Sequence, residues 1–282
     1  MAGMVVNTNM DALTIENILS NTNSAVSGSL TKLSSGLRIN SAADDPAGYA
    51  IANAFKSAIS SMQVASQNAN QANSMLQTAD GAYSQINNIL VSMKSLATEA
   101  ASGQEGTSNL NSLQGEFSDL QAEIEQIAGS TQYGSTFLIN GTGTASTGIT
   151  FQIGATNAAN NQITISFLGA NTTSLGVSTS TIGIGSLVSA QAAMTALDTA
   201  LTSINAAMGD VGGLQNQLGY TIQNLTTSIQ NYSSSTSTIE DVDMASEVSN
   251  LTKNQILQQS AMAMLAQANS QPQNVLKLLQ NA

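Results

Sequence analysis

The sequence predicts a mainly α protein, with long heptad-repeat helices in an antiparallel coiled-coil rod and a small β-hairpin region. Three observations carry that expectation. Apolar residues recur in alternating steps of four and three from Ile51 through Phe55, Ala58, Met62, Ala65, Ala69, Ala72, Leu76, Ala79, Tyr83, Ile86, Leu90 and Met93 to Ala97. Two further series keep the same discipline, one from Leu110 to Ile127 and one from Leu187 to Ile239, the latter broken only at Gln215 and Thr236. Between them, over 149–167, the period drops from 3.5 to two.

A stripe repeating every ~3.5 residues is the signature of a helix that packs its seam against partner helices. At a rise of ~1.5 Å per residue the first stripe alone runs roughly 70 Å. Small seam residues such as Ala65, Ala69 and Ala72 permit close helix approach but bury little area each, so stability must accumulate along the length. Periodic apolar residues here are core, and no cofactor box is required to explain them.

The elements follow in order. From about Thr8 to Leu37 a weaker stripe (Leu13, Leu19, Val26, Leu30, Leu33, Leu37) reads as an amphipathic helix, interrupted by Gly36 and the stretch 38–45. Asp45 is a good N-cap and Pro46 suits a first helical turn, where its missing N–H loses no bond. The long helix therefore starts at Pro46 and ends near Ser102–Gly103, and a second runs from about Gly106 to Gly129. Ile149–Ile153 and Ile163–Phe167 alternate as a hairpin, Phe137–Ile139 offers a short strand or turn, and Leu175–Ile184 reads as strand or loop. The third long helix spans about Leu187 to Ser235, with Ser233–Thr238 as a soft joint. A last amphipathic helix (Val242, Val248, Leu251, Ile256, Leu257, Met264, Leu265) reaches toward Gln271, where Pro272 is expected to kink or restart it. The domain divisions expected are 1–45, 46–186, 187–238 and 239–282.

Composition narrows the function. Only 8% of the 282 residues are charged and 4% are aromatic, and Cys, His and Trp are absent. Residues 57–252 carry thirteen acids against one base, Lys94, while the two ends are nearly neutral. Nucleic acid is an improbable partner without clustered Lys and Arg. No membrane span is expected, since the longest apolar run, Ala261–Ala266, falls far short of the ~20 residues required. The start, Met1–Asn7, shows neither the basic flank nor the apolar stretch of a cleavable signal.

Without His or Cys, imidazole bases, thiol nucleophiles and His/Cys metal sites are excluded. Asp243 and Glu247 share a helix face at i, i+4, Glu123 and Glu125 do not, and a solvated helix surface is the default for both pairs. Gly141–Gly143 lacks the Lys and context of a phosphate loop. We expect no enzyme, no catalytic residue, no cofactor and no metal. The first and last helices, by contrast, have apolar stripes that no further segment covers, so they are expected to be interaction surfaces that order on self-association.

The stretch Leu30–Ala52, LTKLSSGLRINSAADDPAGYAIA, resembles the N-terminal signature of bacterial flagellin. Val6–Leu13 is similar to the same family, as is the end from Ile239–Ala245 through Ala266–Leu279, and Phe151–Ala155 resembles the family's rod-domain hairpin. The resemblance implies a filament subunit whose terminal helices pair as an inner tube inside a rod of long helices. Only about 57 residues separate the second and third helices, so the outer variable domains look reduced or absent. The resemblance further implies type III export through the filament channel, an export chaperone on the C-terminal helix, hook-associated proteins as partners, and an extracellular filament as the location.

On this reading the subunit-interface anchors are Leu30, Leu33, Leu37, Leu251, Leu257, Leu265 and Leu276. A hook–filament junction protein is the alternative, and the fit of Leu37–Ala52 favours the filament subunit. A secreted adhesin would need more than residues 140–186 provide. Some flagellins are sensed by a vertebrate Toll-like receptor. In the corresponding region Leu96 matches an apolar contact and Glu116 an acid, whereas Ser92 and Leu120 stand where receptor-active members carry basic residues. Weak receptor recognition at best is what the resemblance implies.

Overall fold

A computed structural model describes residues 8–102 and 106–280, the side chains of residues 144 and 272–280 excepted. In chain order the elements are α1 (Met10–Ser35), α2 (Pro46–Ala100), α3 (Thr107–Ser130), β1 (Gln132–Tyr133), β2 (Thr136–Phe137), α4 (Thr144–Thr147), β3 (Ile149–Gln152), a 3-10 turn (Ala159–Asn161), β4 (Gln162–Ile165), α5 (Leu187–Glu240) and α6 (Met244–Gln280). The chain divides into two compact units: Met1–Ser57 with Asn231–Ala282, and Ala58–Gln230.

The Ala58–Gln230 unit contains the main core. Every seam residue of α2 from Met62 to Ala97 is buried, and α5 contributes Ala190, Leu197, Ile204, Val211 and Leu218 to the same cluster. Within this unit α2 and α5 run antiparallel. The Lys94 ammonium pairs with Asp198 at 2.5 Å, and much earlier in α2 Met62 and Ala65 pack with Leu225, much later in α5. The α3 helix completes the three-helix core with Phe117, Ile124 and Ala128. One seam residue departs from the heptad expectation: Leu187 is exposed, because it occupies the first turn of α5, where Ser186 and Ser189 close the helix start by exchanging backbone and hydroxyl hydrogen bonds.

The irregular stretch 166–186 sends several of its residues into the core without being strand, and α3 makes that possible. Val177, Ile182 and Ile184 enter the core, so their backbone must find partners other than water. Gln114, Gln121 and Glu125 sit on one face of α3 and supply them. Gln121 donates to the Val177 carbonyl at 2.7 Å, Gln114 accepts from the Ile184 N–H at 2.5 Å, and Glu125 accepts from Thr172 N–H and hydroxyl at 3.1 and 2.9 Å. The β3–β4 hairpin is antiparallel with Ile149 opposite Ile165 and Phe151 opposite Ile163, and Asn68 of α2 donates to its Gln152 carbonyl at 2.9 Å. Phe137 begins a short pairing with Gln132, and Leu138 and Ile139 turn into the core.

Tyr83 is the one large polar side chain fully enclosed on the α2 seam. Its hydroxyl donates to the Leu168 carbonyl at 2.7 Å, and burial pushes its ionisation above the ordinary tyrosine range. Removing the hydroxyl leaves that carbonyl without its donor. Tyr83→Phe is expected to destabilise this unit by about 1–2 kcal/mol, read as a lower urea midpoint with an unchanged slope.

The unit of Met1–Ser57 and Asn231–Ala282 holds α1, α6 and the adjoining ends of α2 and α5. Two expectations require correction here. The Ser/Thr run 233–238 is no joint: α5 continues unbroken to Glu240, and the Ser235, Thr236 and Thr238 hydroxyls are accommodated by donating to carbonyls four residues back rather than capping a helix end. Nor does the last helix restart at Pro272, since α6 runs through it to Gln280. Proline has no N–H to give the Ala268 carbonyl. That carbonyl instead accepts from the Asn9 side-chain amide at 2.9 Å. Ile51, the first residue of the long stripe, is also exposed in this unit rather than seamed.

Candidate functional site: the paired terminal helices

The site is a surface and begins with the joints that hold it. Helix α1 is capped at Asn9, whose side-chain oxygen accepts from Ala12 N–H at 3.1 Å, and closes at Gly36 in the left-handed region with φ 73°. A glycine meets that turn without the Cβ clash any other residue would bring. Residues 37–45 then lie against the end of α5. Leu37 pairs with Asp241 in an isolated antiparallel bridge, and Val242 N–H donates to the Gly36 carbonyl at 3.0 Å.

Arg38 explains why this stretch is placed there. The last four carbonyls of a helix lack intrahelical donors. For α5 these are residues 237–240, and three of the four are taken by Arg38. Its guanidinium donates to the Thr238 and Ile239 carbonyls at 3.3 and 2.6 Å, and its backbone N–H donates to Glu240. Its positive charge also opposes the negative end of the helix dipole. Ser237 receives Asp241 N–H at 2.9 Å, so the helix end is complete. The Glu240 carboxylate, 3% exposed, pairs with Lys56 of α2 at 2.5 Å.

The turn into α2 uses both aspartates. Asp44 accepts from Asn40 N–H, Ser41 N–H and the Ser41 hydroxyl, and these bonds hold its carboxyl below the usual range, with Lys32 assisting. Asp45 accepts from Ala47 and Gly48 N–H, both at 3.1 Å, immediately before Pro46 begins the helix. Gly48 is required by space: a Cβ there would sit 2.5 Å from the Asp45 carboxylate and 2.8 Å from Ile39. Asp243 is likewise structural, since it accepts from Ala245 and Ser246 N–H and starts α6, so its pairing with Glu247 has no separate role to fill.

With its ends fixed, α1 pairs with α6 antiparallel. Asn9 reaches Ala268, Asn23 accepts from Gln258 at 2.6 Å, and Leu37 meets Asp241. Little is covered by this pairing. The buried residues of α1 are Thr22 and Ser29, and α6 buries Ala261 among its described side chains. Large apolar groups stay in solvent, among them Met10 (65%), Ile18, Leu30 (50%), Ile256, Leu257 (45%) and Met264. Leu33, Leu37, Leu251 and Leu265 are half-buried, and the Leu276 side chain lies outside the described residues. A shallow groove of about 310 Å³ between the helices is lined by Asp11, Ile15, Met264 and Gln271.

Elsewhere the candidate receptor residues separate from this surface. Leu96 is half-buried on α2 and Glu116 exposed on α3, both in the Ala58–Gln230 unit, where Ser92 is exposed and Leu120 half-buried. Among the described residues no group of three or more acidic side chains is arranged to hold a metal, and no helix is long and apolar enough to cross a membrane. Reasoning from sequence missed Asn9 and Arg38 as linking residues. The only signal for Asn9 was a cap residue preceding a helix, and nothing local marks its second bond to Ala268.

Asn9→Ala is expected to loosen both helices at once, by about 1–2 kcal/mol from the lost cap and the carbonyl left without a donor. Faster amide exchange around Ala12 and in the turn before Pro272, with the Ala58–Gln230 unit unaffected, is the expected readout.

Comparison with known proteins identifies the family. Residues 6–144 match the bacterial flagellin N-terminal helical region, and 194–279 match the bacterial flagellin C-terminal helical region. The chain is 37% identical to flagellin of Bacillus subtilis (strain 168), covering 98% of this chain and 100% of that protein. It is 42% identical to flagellin of Escherichia coli (strain K12) over 50% of this chain, and spans only 28% of that longer protein. A crystal structure of Bacillus cereus flagellin aligns with a TM-score of 0.49 and 31% identity, covering 56% of this chain and 88% of that one. With its two helical regions separated only by residues 145–193, the chain belongs to the bacterial flagellins and carries a short variable region.

Proposed function

We propose that this chain is the structural subunit of a bacterial flagellar filament, and that polymerisation is driven by covering the α1–α6 pair with neighbouring copies. The observation that carries the reading is the pair's uncovered apolar surface, which has few charges to oppose burial. Each large apolar side chain fully buried contributes ~1.5–3 kcal/mol. Of the proposed anchors, Leu30 and Leu257 are exposed in the single copy and so have the most area left to bury. Leu33, Leu37, Leu251 and Leu265 are proposed to extend the same surface, and Leu276 is included with them from the sequence alone. Contacts between unlike patches generate an open helical array where the rotation from copy to copy does not close into a ring.

The same reading places the chain outside the cell after type III export, with an export chaperone on α6 and hook-associated proteins at the filament base. A chaperone there would cover the surface that the polymer later covers, keeping exported copies single.

The test is a double substitution, Leu30→Asn with Leu257→Asn, beside the control Val188→Asn, exposed on α5 and distant in sequence from the pair. The double variant is expected to keep its helical circular dichroism and to need at least about tenfold more protein to polymerise, the factor that ~1.4 kcal/mol supplies. The control is expected to polymerise as the parent does. Unaltered polymerisation of the double variant would remove the basis of the reading.

Recognition by the Toll-like receptor is proposed to be weak. Leu96 and Glu116 are present, but Ser92 and Leu120 offer no cation, and an Arg lost from a buried contact costs ~2 kcal/mol or more. Reporter cells are expected to respond to this protein with a potency at least about tenfold below a flagellin carrying those basic residues. Equal potency would refute it.

A further inference from the structure

Methionine is distributed unequally between the two units. In the Ala58–Gln230 unit Met62, Met75 and Met93 are buried, and Met194 and Met208 are half-buried. The four remaining described methionines all lie on the terminal helices, and all four are exposed: Met10 at 65%, Met244 at 48%, Met262 at 49% and Met264 at 58%. Met262 and Met264 follow Ala261, the buried residue of α6, at helical angles that put one on each side of it. Met264 also borders the groove between α6 and α1.

We propose that Met10, Met244, Met262 and Met264 are thioether oxidation positions, spread along the α1–α6 pair, through which peroxide controls polymerisation. The inference rests on the reading that neighbouring copies cover the α1–α6 pair. The chemistry is a two-electron oxygen transfer. A sulfur lone pair attacks one peroxide oxygen, the O–O bond breaks, the sulfur is oxidised to sulfoxide, and the other oxygen leaves as water after taking up a proton. The product is polar, and its S=O oxygen demands a hydrogen-bond donor. Burying that oxygen against apolar side chains of a neighbouring copy leaves it without one. Oxidation therefore weakens assembly while the core of the Ala58–Gln230 unit, where Met62, Met75 and Met93 are buried, stays folded. Covering in the polymer shields the four sulfurs in turn, so single copies are sensitive and assembled ones protected. Sulfoxide is reversible by the two epimer-specific reductases.

The experiment uses the full chain, dilute hydrogen peroxide and peptide mass mapping. In single copies Met10, Met244, Met262 and Met264 are expected to oxidise at least about tenfold faster than Met62, Met75 and Met93. The oxidised protein is expected to polymerise only at about tenfold higher concentration or more, and treatment with both reductases restores it. A variant with all four changed (M10L, M244L, M262L, M264L), which keeps Met1 and Met4, is expected to polymerise after peroxide to the same extent as it does untreated, whatever that untreated level is. Equal oxidation of the core methionines, or peroxide inactivation of that variant, overturns the proposal. Should the variant fail to assemble untreated, reductase rescue of the parent protein decides, and absence of rescue overturns the proposal. Parent protein that carries all four sulfoxides yet polymerises normally overturns the proposal and leaves self-assembly intact. Preformed polymer that oxidises at these four positions as fast as single copies sinks both, since the face is then uncovered.

Discussion

Two helices laid side by side can hide only the strip along which they touch, and that limit governs how this chain is organised. Where three helices share a seam, in the Ala58–Gln230 unit, Leu76, Ile86, Leu90, Phe117 and Leu197 are sealed completely. Where α1 has only α6, the strip is narrow enough that Thr22, Ser29 and Ala261 fill it. Small residues bring the two backbones close and push the larger ones to the flanks. The apolar groups excluded from the strip are therefore available for another purpose, and their exposure follows from geometry rather than from poor packing.

The pair would have little to fix its register if apolar contact were all that joined it. Polar side chains at three levels do that work. Asn9 ties the start of α1 to a carbonyl that Pro272 leaves without a donor, Asn23 meets Gln258 midway, and Arg38 completes the end of α5 beside the start of α6. Each of these bonds satisfies a group that the local helix could not satisfy itself. The stretch Gly36–Gly48 is dense in such duties: a left-handed turn, a guanidinium cap, an aspartate-closed loop, a helix start and a glycine pressed against Asp45. That density gives a physical reason for the strongly distinctive sequence there.

Much of the fold was legible because its signals are periodic. Thirteen consecutive steps of four and three announced α2, and β3 and β4 were visible from alternation flanked by Gly and Asn. Local signals failed where distant groups intervene. Ser and Thr in 233–238 disfavour a helix in isolation, yet their hydroxyls bond backward and α5 continues. Pro272 argues for a break until Asn9, 263 positions away, supplies the missing donor. The buried loop 166–186 was ambiguous for the same reason: its stability depends on Gln114, Gln121 and Glu125, which read as ordinary polar helix positions. The uncovered apolar flanks of α1 and α6 were legible by counting, since no other segment was left to cover them.

Asp44 and Tyr83 have an effect beyond their own neighbourhoods. The first has its proton loss moved toward more acidic conditions by the turn it closes, the second toward more alkaline ones by enclosure. Carboxylates ordinarily titrate near pH 4 and lysines near 10, and histidine and cysteine, which would fall between, do not occur. The chain therefore has no imidazole or thiol, the two side chains whose ordinary titration falls nearest neutrality. A surface built from this chain therefore offers no imidazole or thiol through which a change of pH near neutrality could redraw its electrical pattern.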